Sequence, residues 1–109
     1  MGLSAMRVTN LEQELVPNPN QPGRMVTVDN TAAGVQIGAI HEDTSHVMIS
    51  IDAQPVRVTF DGTAPTDTSG IYLAANTRVI WSRALALAAK FIRATGSNGT
   101  MAMQQLRLP

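Results

Sequence analysis

From Arg24 to the end of the chain, clusters of Gly, Pro, Asn, Asp and Ser interrupt the sequence, and between them apolar and polar residues alternate. Turn signals recurring about every ten residues leave no room for the crossover helices of a parallel sheet, and fit the spacing of an all-β sandwich or barrel. The period-two segments are Met25–Val28, Gly34–Ile40, His46–Ile51, Val56–Phe60, Ile71–Leu73, Thr77–Ser82, Lys90–Thr95 and Thr100–Leu108. Val47, Ile49 and Ile51 share one face of their segment, as do Val56, Val58 and Phe60 of theirs. The short link Asp52–Pro55 predicts that these two strands are antiparallel neighbours. Gly34 and Gly38 mark a bulge or a close backbone approach within the second segment. Between Arg83 and Ala89 the pattern fits both periods, and one helical turn over Ser82–Ala88 is expected ahead of the Lys90–Thr95 strand. Gly96-Ser97-Asn98-Gly99 tolerates positive φ and is expected to connect the last two strands as a hairpin. The fold class is therefore all-β, an antiparallel β-sandwich, with jelly-roll connectivity among the ways of wiring it.

Residues 1–23 differ from the rest. Leu11-Glu12-Gln13-Glu14-Leu15-Val16 runs into Pro17-Asn18-Pro19-Asn20-Gln21-Pro22-Gly23, whose three prolines forbid a helix or a central strand. The division expected is an extended N-terminal arm, 1–23, and a β-sandwich domain, 24–109. The apolar residues of the arm, Leu3, Leu11, Leu15 and Val16, lack a periodic partner and can lie on their own domain or on a neighbouring subunit.

The 109 residues balance eight basic against eight acidic side chains, with 15% charged, 4% aromatic and no cysteine. A neutral surface with few rings lacks the clustered Lys and Arg that sequence-independent nucleic-acid binding needs, and the aromatic platforms of base stacking. Without cysteine there are no disulfides, thiolate metal sites or thiol nucleophiles. No apolar run approaches the roughly 18 residues of a membrane span, and Met1–Met6 carries Met6 where a myristoylation signal needs Ser or Thr. No nucleic-acid or membrane partner is expected, and the chain reads as synthesised in the cytoplasm.

His41-Glu42-Asp43-Thr44-Ser45-His46 is the densest set of ligand-type side chains. Its histidines are five apart between two strands, whereas the zinc-protease motif needs them four apart on one helix face. The plainer expectation is a polar interstrand turn. Asp61 to Gly70 is a polar loop bounded by glycines, but the third and fifth positions after Asp61 lack the oxygen donors of a twelve-residue calcium loop, and no Glu closes it. No serine sits in a glycine-flanked nucleophile elbow, and no phosphate-cradling glycine motif occurs. Neither catalytic residues, nor a metal site, nor a cofactor is assigned. Met101 and Met103 fall on one face of the last strand, either filling the core or forming an adaptable subunit contact. Arg57, Arg78 and Arg93 are expected to project outward.

Half of the chain, residues 47–107, resembles small virion proteins of tailed bacteriophages. The residues that carry the resemblance are Val56-Arg57-Val58-Thr59-Phe60-Asp61-Gly62-Thr63-Ala64-Pro65-Thr66, then Gly70-Ile71-Tyr72-Leu73-Ala74-Ala75-Asn76, then Phe91-Ile92-Arg93-Ala94-Thr95-Gly96 before a final β segment. The resemblance implies a non-enzymatic virion structural protein on the capsid surface. Its type would be a decoration (cement) protein that clamps subunits of the major capsid protein and itself forms dimers or trimers. The same resemblance extends to head-tail and tail components; a small sandwich can also serve as a carbohydrate- or receptor-binding module, with Trp81 or Tyr72 as its platform. For a clamp, the expected interface residues are Leu3, Leu11, Leu15 and Val16 of the arm, Asp61, Thr63, Pro65 and Thr66 of the loop, and Met101 and Met103.

Overall fold

The computed structural model describes residues 15–109. Leu3 and Leu11 lie outside the described residues. Among the described residues eight strands and one short helix follow in order: β1 Val16–Pro17, β2 Arg24–Val28, β3 His46–Ile51, β4 Val56–Thr59, β5 Ile71–Leu73, β6 Arg78–Ser82, α1 Arg83–Ala88, β7 Lys90–Arg93 and β8 Gly99–Arg107. They form two antiparallel sheets. In the larger, β8 is flanked on one edge by β3 and then β6, and on the other by β2 and β1 together; the smaller has the order β5-β4-β7.

Counting the Gly34–Ile40 segment as a strand position, the pairing is nested. The first position pairs with the last (β2 with β8), the second with the seventh (Val35 with Phe91), the third with the sixth (β3 with β6) and the fourth with the fifth (β4 with β5). Lateral pairing of β3 with β8 and of β4 with β7 then completes each sheet. That pattern is one long hairpin rolled into two layers, which is the jelly roll.

Two expectations about neighbours are corrected by this wiring. Strands β3 and β4 do not pair; they lie in opposite sheets and meet through their side chains across the core. Pro55, at the base of the link, has no N–H to close a hairpin. The link is held from other strands' loops instead, with Asn76 N donating to the Ile51 and Asp52 carbonyls and Ala94 N to that of Pro55. Gly96–Gly99 likewise crosses between sheets rather than joining β7 to β8 as a hairpin. Gly99 sits at this crossing because a Cβ there would come within 3.1 Å of Val56 Cγ1. A third expectation shrinks: of Gly34–Ile40 only Val35 bridges to a strand, since Gly34 and Gly38 adopt φ of 86° and 92° and break the extended run.

The core lies between the layers. Val28, Val47, Ile49, Ile51, Met101 and Met103 descend from the larger sheet onto Val56, Val58 and Phe91 of the smaller, while Ile37 and Ile40 close one side. Helix α1 is too short to persist alone. Ser82 caps it by accepting a hydrogen bond from Leu85 N, and Ala86 anchors it to the core. Trp81 packs inward, edge-on to Phe60 at 4.9 Å and stacked against Phe91 at 6.0 Å.

Candidate docking face

The two sheets differ in what covers their outer surfaces. On the smaller sheet the outward row is Tyr72, Arg57 and Ile92, with Thr59 and Lys90 beside it. The loop Asp61–Gly70 is tied across this face. Arg57 donates from Nε to the Asp67 carbonyl at 3.0 Å and from Nη1 to that of Gly70 at 3.1 Å, and Lys90 Nζ reaches the Gly62 carbonyl at 3.0 Å. Thr59 Oγ1 donates to the Thr63 carbonyl. Pro65 is fully buried under the loop, against Gly34 and Gly70. The loop is thus a lid on its own domain, and Pro65 is a core residue rather than a contact residue. Asp61, Thr63 and Thr66 stay exposed on the lid's outer side.

Arg57 is accordingly a clamp and not a solvated charge. Its guanidinium also lies over the Tyr72 ring, 5.4 Å from the centroid. Trp81 is turned into the core, while Arg57 covers one face of Tyr72 and leaves that ring 53% exposed.

The larger sheet has no such lid among the described residues. Antiparallel register places Met25, Ala102, Ser50 and Arg78 in one outward row, and Gln104, Met48 and Ile80 in the next. All of these but Ile80, together with Gly23, Arg24 and Met103, line a shallow groove of about 290 Å³, which holds the cations Arg24 and Arg78 and no carboxylate. Met25 is 64% exposed, the largest value among the described bulky apolar side chains. Arg78 makes no ion pair or side-chain hydrogen bond among the described residues. The face is flat, apolar and nearly uncharged.

The methionines therefore divide in the opposite way to the contact reading of the last strand. Met101 and Met103 face the core at 0% and 3% exposure, so their contact role is corrected to gap-filling. Met25 and Met48, which sequence reasoning did not single out, hold the outer face. The signal was present: Met48 falls between Val47 and Ile49, out of phase with the apolar stripe.

The His41–His46 segment is a polar turn fastened to the start of the described chain. Residues 15–23, expected in the arm, lie on the sheet edge: Val16 and Pro17 pair with Arg107 and Leu106. Asn18, 3% exposed, donates from Nδ2 to Asp43 Oδ1 at 2.7 Å and to Thr44 Oγ1 at 3.3 Å. Gln105 Oε1 accepts from His41 N at 2.8 Å and from Thr44 Oγ1 at 2.7 Å, and Gln105 Nε2 donates to Gln21 Oε1. His41 Nδ1 contacts Asp43 Oδ1. The Asn18 amide lowers the Asp43 carboxyl below the usual aspartate range, helped by His41 and Arg107 and opposed by desolvation. Leu15 and Val16 are half-buried here, so the part they offer a partner is limited.

Ser45 Oγ lies 3.0 Å from His46 Nδ1, a contact between chain neighbours. The nearby carboxylate, Asp43, is committed to Asn18 and His41, so it does not orient the His46 ring as a triad requires. Among the described residues no three His, Asp or Glu side chains are grouped to hold a metal ion, and no helix is long and apolar enough to cross a membrane. A second cleft of about 560 Å³, between the lid and β7, is lined by Pro65, Thr66, Asp67, Ile92 and Arg93 among others. Arg93 spends its Nη1 on Asn98. No family model, curated protein or solved structure matches the chain.

Proposed function

We propose that the protein is a non-enzymatic structural component that works by being buried against other subunits. In its fullest form the proposal is a capsid decoration, or cement, protein of a tailed bacteriophage, bound to the outer surface of the major capsid protein. The observation that carries it is the bare outer face of the larger sheet. One sheet of the sandwich is closed by its own ten-residue lid, while the other leaves Met25 exposed and Met48, Ile80 and Ala102 half-exposed, with Arg24 and Arg78 as the cations of the groove and no carboxylate. An exposed face depleted of charge is the composition of an interface core, and adaptable thioethers suit a surface that must fit a neighbour. Jelly rolls recur in virus shells, which raises the expectation without carrying it, because a fold does not fix a function. Placing the particle at the centre of the reading rests on the phage-like segments in residues 47–107. A clamp of this kind draws its strength from repetition over symmetric copies rather than from one strong site.

The test is co-sedimentation with assembled phage heads. The native chain should saturate the heads and raise the temperature at which they release genome. Ala102→Arg, in the middle of the bare face, should lose occupancy while keeping its melting temperature, and Thr68→Arg on the lid should bind normally. Equal occupancy by Ala102→Arg would remove the face from the mechanism, and an unchanged release temperature would refute cementing.

A further inference from the structure

We infer that the groove on the larger sheet is the seat of the N-terminal segment, residues 1–14, of a second copy of this chain. This deepens the proposal that the bare face is buried on assembly, and names its occupant.

Area is the first argument. The outward rows span four strands about 4.8 Å apart and about five residues of about 3.4 Å rise, on the order of 14 Å by 17 Å or 250 Å² in projection. A standard interface buries about 800 Å² on each partner, so two flat faces stacked on each other fall well short. An extended segment lying in a groove gives up surface on both of its sides, and makes better use of a narrow concave strip.

Charge is the second. The groove's lining holds two cations, Arg24, whose Nη2 donates to the Ala39 carbonyl, and the exposed Arg78, which has no described partner, and no carboxylate. A second groove of the same composition would bring cation and no anion. Residues 1–14 hold Glu12 and Glu14 close to Leu11, with Leu3, Met6, Arg7 and Val8 further out, so the two carboxylates outnumber the one guanidinium. Around Leu11 that is an apolar stretch with two carboxylates, complementary to an apolar groove whose charges are the guanidiniums of Arg24 and Arg78.

Direction is the third. Strand β1 runs antiparallel to β8 with Val16 opposite Arg107, so the chain upstream of Leu15 enters from beyond the C-terminal end of β8. The groove is centred near Ala102, five residues back, about 17 Å away along the strand. Fourteen residues reach up to about 50 Å. To lie on its own face the segment would have to reverse within that length, yet residues 3–14 contain neither Gly nor Pro. Continuing onward delivers it to a neighbour. Each copy then gives one arm and receives one, a head-to-tail contact that closes into a ring when the rotation allows.

The absence of cysteine makes the test clean. Full-length Glu12→Cys and full-length Arg78→Cys are mixed in equal amounts, exchanged at low concentration and mildly oxidised. A covalent pair of chains joining position 12 to position 78 is expected, together with an oligomer of the native chain in light scattering. Arg78→Glu should shift that oligomer toward monomer at unchanged melting temperature, and adding Glu12→Arg and Glu14→Arg should restore it. Three results overturn the inference. They are a monomeric native chain, a mixture that yields no 12-to-78 link, and an oligomer indifferent to Arg78→Glu. Head binding is scored on the same variants: a monomer that still saturates heads refutes arm exchange and leaves the cement reading standing, while an arm-exchanged ring that never binds heads does the reverse.

Discussion

Replacing Gln105 with methionine should be among the most damaging conservative changes in the molecule. Gln105 is 2% exposed on the inward side of β8, beside Val47. Its Oε1 is the shared acceptor of the His41 N–H and the Thr44 hydroxyl, and Thr44 is itself 3% exposed. Methionine keeps the volume and removes both the acceptor and the donor. Each orphaned buried group costs about 1–3 kcal/mol. His41 lies at the surface, where water can partly replace the lost bond, so the total should be about 2–4 kcal/mol. For a domain of this size that lowers the melting temperature by roughly 8–30 °C. The measurement is thermal and urea unfolding followed by circular dichroism, with the urea slope unchanged so that the loss is in stability and not in the denatured state. A double-mutant cycle sharpens it. Thr44→Val should cost about 1 kcal/mol less in the Gln105→Met background than in the native chain, because its partner has already gone. A loss below about 0.5 kcal/mol, the range of an ordinary surface change, or strict additivity of the two substitutions, would refute the idea that this network fastens the His41–His46 turn to the sheet.

Two glycines on loops separate backbone strain from steric fit. Gly62→Ala, at φ 88° with open space around it, should cost only the left-handed penalty of about 1–2 kcal/mol, whereas Gly34→Ala, whose Cβ would lie 2.9 Å from Lys90 Cβ, should cost clearly more in the same unfolding assay. Met101→Ala should destabilise by about 2–5 kcal/mol, while Met48→Lys on the outer face should stay within about 0.5 kcal/mol and instead abolish particle binding. Stability should fall as pH is lowered through the aspartate range, roughly 3.9. The hydrogen bonds from Thr31 to Asp29 and from Asn18 to Asp43 hold both carboxyls below their unfolded values, so the unfolded state binds protons first. Asn18→Ala should flatten the Asp43 part of that acid limb, and an identical pH profile would show that Asn18 does not set it.

The strands were legible because each carries its own period, but their partners were not. Val47, Ile49 and Ile51 announce a half-buried strand, and so do Val56 and Val58, yet nothing in either run says whether the next strand lies beside it or across the core. A four-residue link suits both arrangements, and only the missing N–H of Pro55 hinted at the second. The jelly roll pairs positions that are far apart in the chain, such as β2 with β8, and no local pattern reports such pairing. Gly34 and Gly38 are visible as interruptions, but the alternation around them suits a continuous strand, and only their positive φ reduces it to the one bridge at Val35.

The contact residues were misassigned for a related physical reason. A methionine is apolar wherever it stands, so an apolar stripe containing Met101 and Met103 looks the same whether it faces a core or a partner. What separates the two cases is the phase of each strand relative to its neighbours, and phase is a property of the assembled sheet. Met101 is aligned with Ile51 and Val26, both inward; Met48 is aligned with Gln104 and Ile80, both outward. The same logic applies to the loop. Asp61–Gly70 is polar enough to reach a partner, but Arg57 and Lys90 hold its carbonyls and Pro65 is pressed beneath it, so its hydrogen bonds are spent at home. Once one outer face is closed by the chain's own residues, the unspent surface is the other one, and that asymmetry rather than any single side chain directs the search for a partner to Met25, Met48, Ile80 and Ala102.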